Sequence, residues 1–102
     1  MTWCDWNSVP IFAIPNGGRR DKREAAGLKR AGVRAGVPDL MIPVARHGYH
    51  GMFIELKVGN NKPTAKQTEW LCKLFQNGYY TRVCYGALEA VDAIKEYLHD
   101  DR

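Results

Sequence analysis

The sequence predicts a small α/β (α+β) fold: a mixed sheet of about four strands flanked by helices. Two observations carry this. Short stretches of apolar, β-branched and aromatic residues recur from Val9 to Ile14, Leu40 to Val44, Met52 to Val58 and Tyr79 to Tyr85. Interleaved with them are stretches of helical apolar spacing that begin and end on capping residues. Strands and helices mixed in this way bury their apolar faces as layers. The 102 residues are enough for one domain, spanning 1–102, with a modest core.

The elements follow in order. Met1 to Ser8 holds Trp3 and Trp6 without a clear period. Val9 to Ile14 is a strand with Pro10 at its start, where a missing N–H does least harm. Pro15-Asn16-Gly17-Gly18 is a turn, since Asn and Gly tolerate positive φ and can bare backbone N–H groups. Asp21 to Ala31 reads as a helix: Asp21 and Glu24 fit a capping box, and Gly32 is a natural stop.

Pro38 fixes its own φ and pushes Val37 into an extended conformation. Asp39 is therefore delivered to the mouth of a strand, Leu40 to Val44, in which Pro43 marks an edge or bulge. Arg46 to Gly51 is a hairpin turn, and Met52 to Val58 is the returning strand. Thr64 to Asn77 is a helix with Thr64 as N-cap, Gly78 past its end, and Trp70, Leu71, Leu74 and Phe75 on its apolar face. Tyr79 to Tyr85 is a strand. Ala87 to Leu98 is a last helix packing through Ala87, Ala90, Val91, Ile94 and Leu98.

Composition narrows the function classes. Apolar runs are too short to span a membrane, and no secretory signal pattern opens the chain. Cys4, Cys72 and Cys84 are odd in number and widely spaced, which suits a reducing, cytoplasmic setting rather than a disulfide framework or structural zinc. Cys72 and Cys84 read as core. Of the net charge of +4, the stretch from Arg19 to Arg34 alone contributes an excess of five: seven Lys and Arg against Asp21 and Glu24. Such a concentration is either a solvated face or a phosphate-binding footprint. Asn16 just before it, and Arg19, Arg20, Arg23, Arg30 and Arg34 within it, are the candidate nucleic-acid contacts, joined by Lys62 and Lys66 around the later loop. His47 and His50 read as turn surface residues. Tyr79 and Tyr80 read as packing residues, with base stacking as the other use.

The chemistry centres on Asp39, Glu55 and Lys57. Side chains alternate along Met52 to Val58, so Phe53, Glu55 and Lys57 share one face, while Met52, Ile54, Leu56 and Val58 pack against a helix layer on the other. Glu55 and Lys57 then lie roughly 7 Å apart. The hairpin returns this strand beside Asp39. A charged pair inside an apolar strand is either a salt bridge or a site, because burying charge is costly. Two carboxylates offer hard oxygen ligands that suit Mg²⁺ or Mn²⁺. A neighbouring Lys can hold a water and offset charge on phosphorus.

Pro38-Asp39 followed by Glu55-Leu56-Lys57 resembles the PD-(D/E)xK nuclease signature. The wider pattern is similar to the VRR-NUC family. It comprises Ile14 to Gly18, Gly36-Val37-Pro38-Asp39-Leu40, His50 to Lys57, and Thr64-x-x-Gln67 followed by Trp70-Leu71. The resemblance implies a restriction-endonuclease-like core and metal-dependent cleavage of DNA to 5′-phosphate ends. By position it implies Asp39 and Glu55 as ligands of Mg²⁺ or Mn²⁺, with the Leu56 backbone carbonyl as a third. It implies Lys57 as the catalytic lysine and Gln67 as the helix glutamine directed at the site, although Thr64-x-x-Gln67 is also a capping box. Family members carry an upstream glutamate as well; before Asp39 this chain has only Asp5, Asp21 and Glu24. Its small size suits a homodimer acting on branched DNA such as a four-way (Holliday) junction. The alternative is a non-catalytic DNA-binding module built on residues 19–34.

Overall fold

The structure is a computed structural model and describes residues 9–15 and 35–99. Residues 1–8 and the helix expected at residues 21–31 fall outside the described residues. So do Asn16, Arg19, Arg20, Arg23, Arg30 and Arg34, and the acids Asp5, Asp21 and Glu24.

Four strands form one mixed sheet in the order β1-β2-β3-β4: β1 Phe12–Ala13, β2 Leu40–Ile42, β3 Met52–Lys57 and β4 Tyr80–Tyr85. The first three run antiparallel to their neighbours, and β4 lies parallel to β3. Helix α1, Ala65–Gln76, makes the crossover between β3 and β4, as a parallel pair requires. Helix α2, Ala87–Leu98, follows β4. This is the α+β sheet expected from the sequence.

The first strand is shorter than expected. Only Phe12 and Ala13 enter the ladder, although Ile14 N–H still donates to Asp39 O at 2.8 Å. Prolines at 10 and 15 lack the donors that would extend it. Likewise β2 stops at Ile42, before Pro43.

The β2–β3 connection is tight. His47 has φ 54° and Gly48 φ 86°, and Arg46 and Tyr49 exchange backbone hydrogen bonds across the turn. Two successive positive φ values give the turn the twist that antiparallel strands need. The register follows: Leu40 faces Ile54, Met41 faces Phe53 and Ile42 faces Met52.

The core lies on the α2 side of the sheet. Ile42, Met52, Ile54 and Cys84 are fully buried against Ala90, Ala93, Ile94 and Tyr97. The inward stripe of α2 is thus rotated toward Ala93 and Tyr97, and Ala87 is exposed. Tyr97 is buried through its ring while its hydroxyl donates to Val44 O at 2.7 Å, so the polar tip stays satisfied. Tyr80 stacks on Tyr97, with ring centroids 5.8 Å apart. Tyr79 meets Phe53 and His50 edge-on, so both tyrosines are packing residues.

Two expectations are corrected here. Leu56 is 37% exposed and Val58 68% exposed, although they share the parity of Met52 and Ile54. The first turn of α2 does not cover them: Ala87, Leu88 and Glu89 are themselves exposed. Cys72 is exposed on α1, and only Cys84 is core. Burial pushes the Cys84 thiol up, away from reactivity.

Candidate active site

The opposite face of the sheet carries Phe53, Glu55 and Lys57 on β3, with Thr81, Val83 and Tyr85 beside them on β4. Helix α1 lies on this face, where Leu71, Cys72 and Phe75 share a cleft with Thr81. No residue of α1 is fully buried.

The hairpin brings the two halves of the site together. Asp39 N–H donates at 3.0 Å to the carbonyl of Ile54, the residue that Leu40 already faces, so the chain stays bonded to β3 one residue beyond the regular pairing and the Asp39 side chain lies beside Glu55. The Asp39 carboxylate then bends across the ladder. Its Oδ2 accepts the Leu56 N–H at 2.8 Å, a place a backbone carbonyl would otherwise fill. Pro38, buried and without an N–H, ends the strand there and fixes that approach.

Glu55 is 2% exposed. Its Oε2 lies 3.6 Å from Lys57 Nζ, while Oε1 is buried with no hydrogen-bond partner. A buried carboxylate oxygen left unpaired is costly, which makes it unusual in a purely structural role. Burial, reinforced by the neighbouring Asp39 charge, pushes the Glu55 carboxyl up to about 7, against the opposing pull of Lys57. Burial and a like charge both disfavour the ionised form, and a cation would relieve both.

The Leu56 carbonyl points the same way. Ile54 O bonds toward β2 and Lys57 O accepts Gly86 N–H on the β4 side, so alternation turns the Leu56 carbonyl toward β2 and Asp39. Among the described residues no group of three His, Cys, Asp or Glu forms a metal cluster. The donor set is instead two carboxylates and one peptide carbonyl, all hard oxygens, with the unpartnered Glu55 Oε1 among them. That set fits Mg²⁺ or Mn²⁺ and not a soft metal.

Gln67 is found in the capping box. Its Oε1 accepts Thr64 N–H at 2.9 Å, and its own N–H donates to Thr64 Oγ1 at 3.1 Å. Lys66, one residue earlier, lays its stem over Gly36: a Cβ at Gly36, whose φ is 88°, would stand 2.7 Å from Lys66 Cγ. The start of α1 is thereby pressed against the loop leading to Asp39, and Lys66 is exposed. Lys62 is exposed in the preceding loop. His47 and His50 lie at the other end of β3. His47 Nε2 is 2.9 Å from Tyr97 O, and the His50 ring covers Gly78.

One neighbour was not singled out from sequence. Tyr85 pairs with Lys57 across β3 and β4, on the same face, and is 40% exposed. The strand periods contain this information, but the parallel register that aligns them depends on the length of the crossover.

A family model for the VRR-NUC domain matches residues 13–88. The chain belongs to the VRR-NUC family. A solved structure described as a VRR_NUC domain protein superimposes with a TM-score of 0.72 at 39% sequence identity. That match covers 86% of this chain and 66% of the other, so the VRR-NUC unit here spans just under two thirds of its relative's length. No curated protein matches the chain. VRR-NUC is a nuclease-type family, and the Asp39–Glu55–Lys57 face lies within the matched residues.

Proposed function

We propose that this VRR-NUC chain is a metal-dependent endonuclease that hydrolyses DNA phosphodiester bonds. The observation that carries the proposal is the buried Glu55 carboxylate, with one oxygen unpartnered, beside Asp39 and 3.6 Å from Lys57. Asp39, Glu55 and the Leu56 carbonyl would hold Mg²⁺ or Mn²⁺. When bound, the cation supplies Lewis-acid polarisation of the phosphodiester and a more acidic water.

The chain's own groups do the rest. Lys57 donates hydrogen bonds to the attacking water or to a non-bridging phosphate oxygen and offsets charge that builds on phosphorus. Water oxygen bonds to phosphorus, the P–O3′ bond breaks, and the proton released from water ends on the 3′ oxygen or in solvent. The products carry 5′-phosphate and 3′-hydroxyl ends. Lys62 and Lys66 attract the DNA backbone, as do the candidate contacts Asn16, Arg19, Arg20, Arg23, Arg30 and Arg34. Gln67 acts as a positioning residue, holding the first turn of α1 and hence Lys66 against the loop that leads to Asp39. A homodimer would present two sites, an arrangement suited to a branched substrate such as a four-way junction.

Wild type and Lys57→Ala are compared on a labelled four-way junction with Mg²⁺ or Mn²⁺, alongside light scattering for mass. Wild type should cut and Lys57→Ala should lose on the order of a hundredfold or more in rate, as expected when a charge-stabilising donor is removed. Wild type that binds the junction yet cuts with neither metal would replace the endonuclease by a non-catalytic DNA-binding module.

A further inference from the structure

The charged half of the site faces β2. The other side of Lys57 is different. Tyr85, the last residue of β4, pairs with Lys57 and shares its face. Its backbone is held on both sides: Tyr85 N–H donates to Glu89 Oε1 at 2.9 Å, and Gly86 N–H donates to Lys57 O at 3.0 Å. Gly86, at φ 92°, then turns the chain into α2. The ring is therefore carried on a fixed strand end, yet it is 40% exposed.

A site that read only the backbone of a duplex would need polar and basic groups here, because phosphates and sugars make the outer surface of a duplex. An exposed aromatic ring matches something a duplex hides: the π-face of an unstacked base. The continuity of the ring with Lys57 selects a base of the same strand that the site would cut. We infer that Tyr85 is a stacking platform for an unpaired nucleobase adjacent to the scissile phosphate. This rests on Asp39, Glu55 and Lys57 being the nuclease site. It makes Tyr85 a positioning residue that favours DNA whose bases are open beside the cut.

The test uses the full chain and a 5′-labelled single-stranded oligonucleotide. An abasic site is moved through the strand one nucleotide at a time. Binding is read by anisotropy in EDTA and cleavage separately in Mn²⁺. For wild type, one abasic position should weaken binding about five- to a hundredfold, the range of a single base–aromatic stack. Tyr85→Ala should lose the same factor on the intact strand and become indifferent to that abasic position. Tyr85→Phe should behave as wild type. The dependence of log K on log salt should keep its slope in Tyr85→Ala, since no phosphate contact is lost. Fully paired duplex should bind Tyr85→Ala as it binds wild type.

Tyr85→Ala that binds the strand like wild type overturns the inference. So does a weakened Tyr85→Ala that remains equally sensitive to the abasic position, or one that loses duplex affinity in step. Absence of cutting together with an intact Tyr85–abasic coupling in EDTA counts against the nuclease assignment and not against the platform.

Discussion

At the residue scale Glu55 sets the character of the site. Its carboxyl has an ordinary value of 4.5 and is raised to about 7 by burial and by Asp39. The folded chain therefore holds a proton that the unfolded chain releases between those two values. Without metal, stability should be highest below about pH 4.5 as far as this group is concerned. It should fall as pH rises through the window to about 7, and then stay level. The full step corresponds to roughly 3 kcal/mol. Metal-free Glu55→Gln should lose this slope and be about 2–3 kcal/mol more stable than wild type at pH 8, while losing nuclease activity. Urea titrations at several pH values check it; an unchanged slope in the variant would assign the pH dependence elsewhere.

Asp39 makes a complementary case. Its carboxylate accepts the Leu56 N–H, so it is part of the sheet as well as of the site. Asp39→Asn retains an acceptor oxygen and should cost little stability, whereas Asp39→Ala leaves that N–H without its partner. The difference should be about 1–2 kcal/mol by thermal or urea unfolding. Both variants should be inactive.

At the element scale the two helices among the described residues were the most legible part of the sequence, because their ends are written in side-chain chemistry. Thr64, Gln67 and Gly78 place α1 at Ala65–Gln76, and Gly86 starts α2 at Ala87. Thr64→Ala should destabilise by about 1 kcal/mol. Gln67→Glu, which preserves a capping oxygen, should be nearly neutral for stability; denaturant midpoints of the two variants make the comparison. The strands were legible in type and not in extent. Periodicity separates the faces of β3, but it does not say where α2 ends its cover. Leu56 and Val58 therefore look inward by pattern and stand exposed in fact. Tyr97 escaped the core assignment for a related reason: a tyrosine at helical spacing is buried only if its hydroxyl finds a partner, here Val44 O just past the end of β2.

At the scale of the whole molecule, the proximity of Asp39, Glu55 and Lys57 was legible because the three lie in one hairpin whose ends the sequence marks clearly. Tyr85 was not, since it reaches Lys57 only through the parallel pairing of β4. The core on the α2 face is small and continuous, so Ile54→Ala should cost about 2–5 kcal/mol by chemical unfolding and loosen the Leu40–Ile54 pairing next to Asp39. Metal should act in the opposite sense. Mn²⁺ or Mg²⁺ at a hundred times its dissociation constant should stabilise wild type by about 2.7 kcal/mol and leave Glu55→Gln unchanged in a thermal shift assay. Among the described residues no helix is long and apolar enough to cross a membrane.

The tight turn at His47 and Gly48 also orders the site in time. It closes β2 on β3 over a short stretch of chain, so Asp39 and Glu55 can meet within microseconds of the hairpin forming. Lys57 gains Tyr85 only after α1 has formed and the chain has closed a much longer loop. Two carboxylates thus face each other before the rest of the site exists, at a moment when their repulsion opposes folding. Divalent cation present during refolding should then speed the slowest step, and stopped-flow refolding of wild type and Glu55→Gln, with and without Mg²⁺, would reveal whether it does.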